Sequence, residues 1–162
     1  MELIIRKAEV ADADAIWKIF HEVVAQGDTY TFDPAMSREE ALAIWMAPQV
    51  YTFVATSDGE VVGTYFMRAN QPGLGSHVAN AGYMVKPGIY NRGIGRAMCE
   101  HSLQEAKRLG FLAMQFNIVV STNKAAVALW QKLGFRILGT LPQAFRHREF
   151  GLVDAYVMHR YL

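Results

Sequence analysis

Leu3, Ile4 and Ile5 open the chain with a short apolar run that predicts a first strand. Ile16, Ile19, Phe20, Val23 and Val24 then recur at helical spacing, so a single helix face can turn them all toward one core. The segment Gly27-Asp28-Thr29-Tyr30-Thr31-Phe32-Asp33-Pro34 breaks that period. Beyond it, Ser37 and Glu40 stand at capping-box spacing, where a hydroxyl and a carboxylate satisfy the free amides of a helix start; a short second helix follows.

Residues 51–56 and 60–68 are rich in β-branched and aromatic side chains and flank Ser57-Asp58-Gly59, which predicts a hairpin. After a loop containing Pro72, Gly73 and Gly75, residues 77–86 read as a strand. Residues 93–109 read as a helix carrying Ile94, Met98, Ala106 and Leu109 inward and closed by Gly110. Residues 112–120 are an apolar strand and 122–133 a helix closed by Gly134; 135–141 and 153–161 form a last strand pair around a polar loop. This order calls for an α/β (α+β) fold, a mixed sheet with helices on both faces, in one domain over residues 1–162 without linker or repeat.

Composition narrows the class. With 52% apolar and 19% charged residues, the chain is too hydrophobic for disorder and too interrupted for a membrane span. A net charge of +1 with scattered Lys and Arg argues against nucleic acid as a partner. The lone Cys99 excludes an internal disulfide, and no Cys/His cluster has metal-ligand spacing; together with the missing secretory signal this suits a metal-free cytoplasmic protein. His77, His101, His147 and His159 likewise lack ligand spacing, and Arg146-His147-Arg148 reads as a solvated loop.

Between the strand ending near Val85 and the helix beginning near Gly93 runs Lys86-Pro87-Gly88-Ile89-Tyr90-Asn91-Arg92-Gly93-Ile94-Gly95-Arg96. A strand-loop-helix junction of this kind aims backbone amides and the positive helix end at one point, and the glycines let an anion approach closely. It has neither the Lys-Ser/Thr of a triphosphate loop nor the spacing of a dinucleotide fingerprint. Taken alone, Gly93-Ile94-Gly95 reads as a tight turn before a buried helix rather than as an anion site. Downstream lies Asn123-Lys124-Ala125-Ala126-Val127-Ala128-Leu129-Trp130-Gln131-Lys132-Leu133-Gly134-Phe135.

The two halves in this order resemble the signature of the GCN5-related N-acetyltransferase (GNAT) family, and the element order matches that family over essentially the whole chain. The resemblance implies a mostly antiparallel sheet of about seven strands with about four helices, and acetyl-CoA as co-substrate. It further implies that Asn91, Arg92, Gly93, Ile94, Gly95 and Arg96 cradle the coenzyme pyrophosphate. Met84 and Val85 would pair with the pantetheine arm, and Asn123 would hydrogen-bond it. Two positions depart from the family pattern. Tyr90 stands where Arg or Gln is preferred, and Trp130 where many members place a Tyr that protonates the leaving thiolate, a task an indole N–H cannot perform.

Asn80 and Asn117 are polar amides within apolar strands, so each belongs either to a structural network or to a site. The stretches Ser76 to Tyr83 and Phe116 to Asn123 resemble one branch of the family, fungal acetyltransferases of azetidine-2-carboxylate. That likeness would give Asn80 the substrate carboxylate and Asn117 a catalytic role at the amine or thioester. The Thr31-Phe32-Asp33-Pro34 loop resembles the substrate-side loop of phosphinothricin-type enzymes, which implies Tyr30 and Phe32 as substrate contacts. The expected activity is direct transfer of acetyl to the amine of a small amino-acid-like molecule, with Cys99 uninvolved; acetylation of a protein or peptide, or coenzyme A binding without catalysis, are the alternatives. Likeness of the late strands to relatives that pair there implies a homodimer.

Overall fold

The computed structural model describes residues 2–89 and 92–162. Its strands form one seven-stranded sheet: β1 (Leu3–Lys7), β2 (Tyr51–Ser57), β3 (Glu60–Ala69), β4 (Val78–Val85), β5 (Ala113–Val120), β6 (Arg136–His147) and β7 (Gly151–Tyr161), in the order β1-β2-β3-β4-β5-β7-β6. Every neighbouring pair is antiparallel except β4–β5. At the β2–β3 turn Asp58 and Gly59 both take positive φ, 51° and 80°, the twist that matches a two-residue hairpin.

The period-two alternation of strand side chains sorts the core onto two faces. Helices α1 (Ala13–Ala25) and α2 (Arg38–Trp45) cover one face. There Ile16, Ile19, Phe20, Val23, Val24 and Trp45 pack on Val54, Phe66 and Met84. Helices α3 (Ile94–Arg108) and α4 (Lys124–Lys132) cover the other, over Phe53, Ala55, Tyr65, Met67, Tyr83, Met114 and Phe116. Ser37 caps α2 as its spacing predicts, its Oγ accepting from the Glu40 amide at 3.2 Å.

Three expectations need correction. The stretch between residues 141 and 153 is strand up to His147 and again from Gly151. β6 is an edge strand exposed along nearly all its length, so neither face imposes apolar alternation, and Pro142 is tolerated beside an irregularity in pairing between Leu141 and Phe145. Arg146-His147-Arg148 is accordingly no solvated loop: His147 is buried and its Nδ1 accepts from the amides of Glu149 and Phe150, while the Arg148 amide donates to the Gly27 carbonyl at 3.0 Å. On α3 the buried stripe runs through Cys99, Ser102 and Leu103 as well as Ile94, Met98 and Ala106, and Leu109 is only partly buried, past the end of the helix.

Candidate active site

β4 and β5 hold only two paired positions, Val78 with Ala113 and Ala79 with Met114, and beyond these the strands part. The β3–β4 register decides what faces the gap. Asn70 donates to the Val78 carbonyl and Lys86 to the Val62 carbonyl, so the even-numbered residues of β4 turn their backbone groups to β3. Met84, expected to pair with a ligand, is therefore committed to β3 through its backbone. Val85 does present its N–H and C=O to the gap, and so does Tyr83, a residue that strand alternation from Val85 would have identified.

The gap ends at the start of α3. Gly93 is the N-cap residue in a left-handed conformation (φ 71°) with no side-chain cap, and the first intrahelical bond is Ala97 to the Gly93 carbonyl at 2.9 Å. The amides of Ile94, Gly95 and Arg96 thus lack helical partners and point outward, which with the helix dipole makes an anion cradle. Arg92 and Arg96 flank it, Arg96 in an ion pair with Glu100. The Asn91 and Tyr90 assignments lie outside the described residues.

These elements line a cleft of about 740 Å³. One wall is Tyr83, Met84 and Val85, another is Phe116, Ile118, Val119 and α4, and Val23, Gln26, Thr29 and Tyr30 close the side toward α1. Asn123 lines the cleft as the N-cap of α4, its Oδ1 accepting from the Ala126 amide at 3.3 Å, which leaves its Nδ2 to a ligand. Trp130 also lines it, packed 5.2 Å from both the Tyr83 and Phe116 rings. Cys99 does not line it; the thiol is fully buried, and burial pushes its pKa up to about 12.

The expected substrate residues separate. Tyr30 lines the cleft, and its hydroxyl accepts from the Tyr83 amide at 2.7 Å while donating to the Tyr83 carbonyl. Burial raises this phenol well above its ordinary pKa, so it stays neutral. Phe32 instead packs into the α1/α2 core, 5.0 Å from the Phe20 ring. Neither Asn80 nor Asn117 lines the cleft; both join a chain of amides on the α1/α2 side of the sheet. Asn80 Nδ2 donates to the Gln115 carbonyl at 3.0 Å, just past the last β4–β5 pair. Gln115 Nε2 donates to Asn117 Oδ1, and Asn117 Nδ2 to Asn70 Oδ1. Arg68, which sequence reasoning missed, stands directly across from Asn80 on β3, on the same face, with its guanidinium 5.6 Å over the Phe66 ring. Cross-strand pairing carries that signal.

Among the described residues no group of three or more His, Cys, Asp or Glu could hold a metal, and no helix is long and apolar enough to cross a membrane.

A gap between two parallel strands, with backbone groups of Tyr83 and Val85 turned into it and an uncapped helix start at its end, can receive a long arm with an anionic group partway along it. The family model described as the acetyltransferase (GNAT) family matches residues 15–135, and the chain belongs to that family. A solved GCN5-related N-acetyltransferase from Kribbella flavida shares 49% identity with it at TM-score 0.95, over 99% of this chain and 98% of that one. Salmonella typhimurium yncA, solved with its cofactor acetyl-CoA, shares 26% at TM-score 0.88, covering 100% and 95%. The L-amino acid N-acetyltransferase AaaT of Escherichia coli is 30% identical, over 98% of each chain. The protein is thus an acetyltransferase, and relatives of its fold bind acetyl-CoA.

Proposed function

We propose that this chain is one N-acetyltransferase domain over residues 1–162 that moves acetyl from acetyl-CoA to the amine of a small amino-acid-like substrate, in the manner of the azetidine-2-carboxylate and phosphinothricin branches. The observation that carries the substrate class is the placement of Asn80, Arg68 and Asn117 on one side of the sheet next to the parting of β4 and β5. Arg68 supplies a charge for a carboxylate, and Asn80, with one amide hydrogen given to the Gln115 carbonyl, has its second to donate. The activity named for AaaT supports the same class.

The amides of Ile94, Gly95 and Arg96 hold the pyrophosphate, Asn91 and Asn123 add contacts, and the pantetheine arm runs along Tyr83 and Val85. The neutral amine attacks the thioester directly, with β4 N–H groups facing the developing oxyanion. Water takes the amine proton and returns one to the thiolate, because Trp130 has no acidic proton to give. Cys99, buried away from the cleft, has no part, and an unpaired buried thiol suits a reducing cytoplasm.

Acetyl transfer to free amino acids is the test, read against the same amines with their carboxylates amidated and against peptides. Asn80→Ala should lower kcat/KM for the carboxylate substrate by about 1.5–3 kcal/mol in transition-state stabilisation, and much less for the amidated one. Equal losses would assign Asn80 to holding β5, and turnover confined to peptides would overturn the substrate class.

The homodimer belongs to the same proposal. The β6–β7 hairpin leaves Ile137, Leu138, Leu141 and Leu152 exposed, an apolar strip along an open sheet edge that a second copy would cover. Sedimentation at micromolar concentration should give twice the chain mass; a monomer refutes it.

A further inference from the structure

The two backbone groups of Tyr83 that face the β4–β5 gap are both engaged by one side chain. The Tyr30 hydroxyl accepts from the Tyr83 amide at 2.7 Å and donates to the carbonyl of the same residue. A hydroxyl has one proton to give, so this pair of bonds uses its donor and a lone pair on a single peptide segment. A thioester or amide arm that runs along the gap meets these groups as well as those of Val85, because Gly82 and Met84 turn theirs to β3. Tyr30 and such an arm compete for one position.

The segment carrying Tyr30 is held from outside and strained in its hydrogen bonding within. Arg148 secures Gly27 through its amide, and Phe32 is fixed against Phe20 and Trp45. Between these anchors, Asp28 Oδ1 and Thr29 Oγ1 are buried without a hydrogen-bond partner. Native proteins leave few such atoms unpaired, and Thr29 lines the cleft, where a bound molecule can supply its partner.

We propose that the Tyr30 hydroxyl is a placeholder in the cleft, holding the Tyr83 N–H and C=O until acetyl-CoA evicts it. This rests on the assignment of the gap to acetyl-CoA. Eviction carries the phenol and Thr29 toward the α1/α2 side, where the amine arrives, so cofactor binding sets the acceptor side of the site. Tyr30 is in this sense a positioning residue.

Its removal has an unusual sign. Tyr30→Phe keeps the ring, 6.0 Å from Phe32, and deletes only the competitor. Acetyl-CoA should bind the variant about fivefold or more tightly by calorimetry, since a hydrogen bond of ordinary net strength no longer has to be broken. In parallel, amide exchange at Tyr83 should be faster in Tyr30→Phe than in the parent without acetyl-CoA, and equally slow in both once it is bound. Unchanged or weaker binding by a folded variant overturns the placeholder, as does unaltered Tyr83 exchange. If the parent itself fails to bind acetyl-CoA, the assignment of the cleft falls, and the placeholder with it.

Discussion

Gly95→Val abolishes acetyl-CoA binding while leaving the protein folded: affinity is expected to fall at least about 100-fold, near 2.7 kcal/mol. Gly95 is the second residue of α3, its amide has no helical partner, and its α-carbon lies at the mouth of the cleft. A Cβ built there would sit 3.9 Å from Val85 and 4.0 Å from Leu129, ordinary contacts that the fold accommodates. Those two residues stand on opposite walls. A valine would therefore bridge the gap and cover the amides that a phosphate must reach, and each charge-assisted bond lost is worth about 1.5–3 kcal/mol. Val is no worse than Gly in a helix, so circular dichroism and melting should barely change. Gly93 is a poorer test, because its φ of 71° would strain any β-branched replacement. Undiminished affinity in Gly95→Val would remove the phosphate assignment.

Trp45→Ala should cost about 3–5 kcal/mol of folding stability, a large part of what a domain of this size possesses. Trp45 is fully buried, edge-on to Phe66 at 4.8 Å and to Phe20 at 5.8 Å. Its indole N–H donates to Thr64 Oγ1 at 3.0 Å, and the Thr64 hydroxyl in turn donates to the Phe53 carbonyl. The Trp45 carbonyl accepts from Thr52 at 2.6 Å. Truncation thus removes the apolar contact that fixes α2 on the sheet and takes the donor from Thr64. Trp45→Phe, which retains most of the area, should lose only about 1–2 kcal/mol. Urea unfolding of both variants measures the difference; a loss under about 1 kcal/mol in the alanine variant would mean that α2 is not held through this side chain.

α1, the capped α2, the β2–β3 hairpin and the strand-loop-helix at Val85 to Arg96 were all legible along the chain. Each depends on interactions within a few residues: helical spacing in Ile16 to Val24, a hydroxyl three residues from an amide at Ser37, and positive φ at Asp58 and Gly59. The anion cradle belongs to the same group, because a glycine before an uncapped helix start is a local property. Edge strand β6 was half hidden, since a strand with solvent on both sides carries no alternating signature.

Local sequence therefore determined most of the elements, the order that matches the acetyltransferase family and the place of the uncapped helix start that can receive an anion. Only the tertiary structure decided which backbone groups reach the ligand and which side chains share a site. The parting of β4 from β5 and the β3 register turn Met84 away and present Tyr83; they bring Arg68 beside Asn80 and carry Tyr30, 53 residues away in the chain, onto the Tyr83 amide. The physical reason is that strand pairing sets these contacts through hydrogen bonds between distant segments, and a shift of one residue in register would reverse every one of them without altering any local pattern.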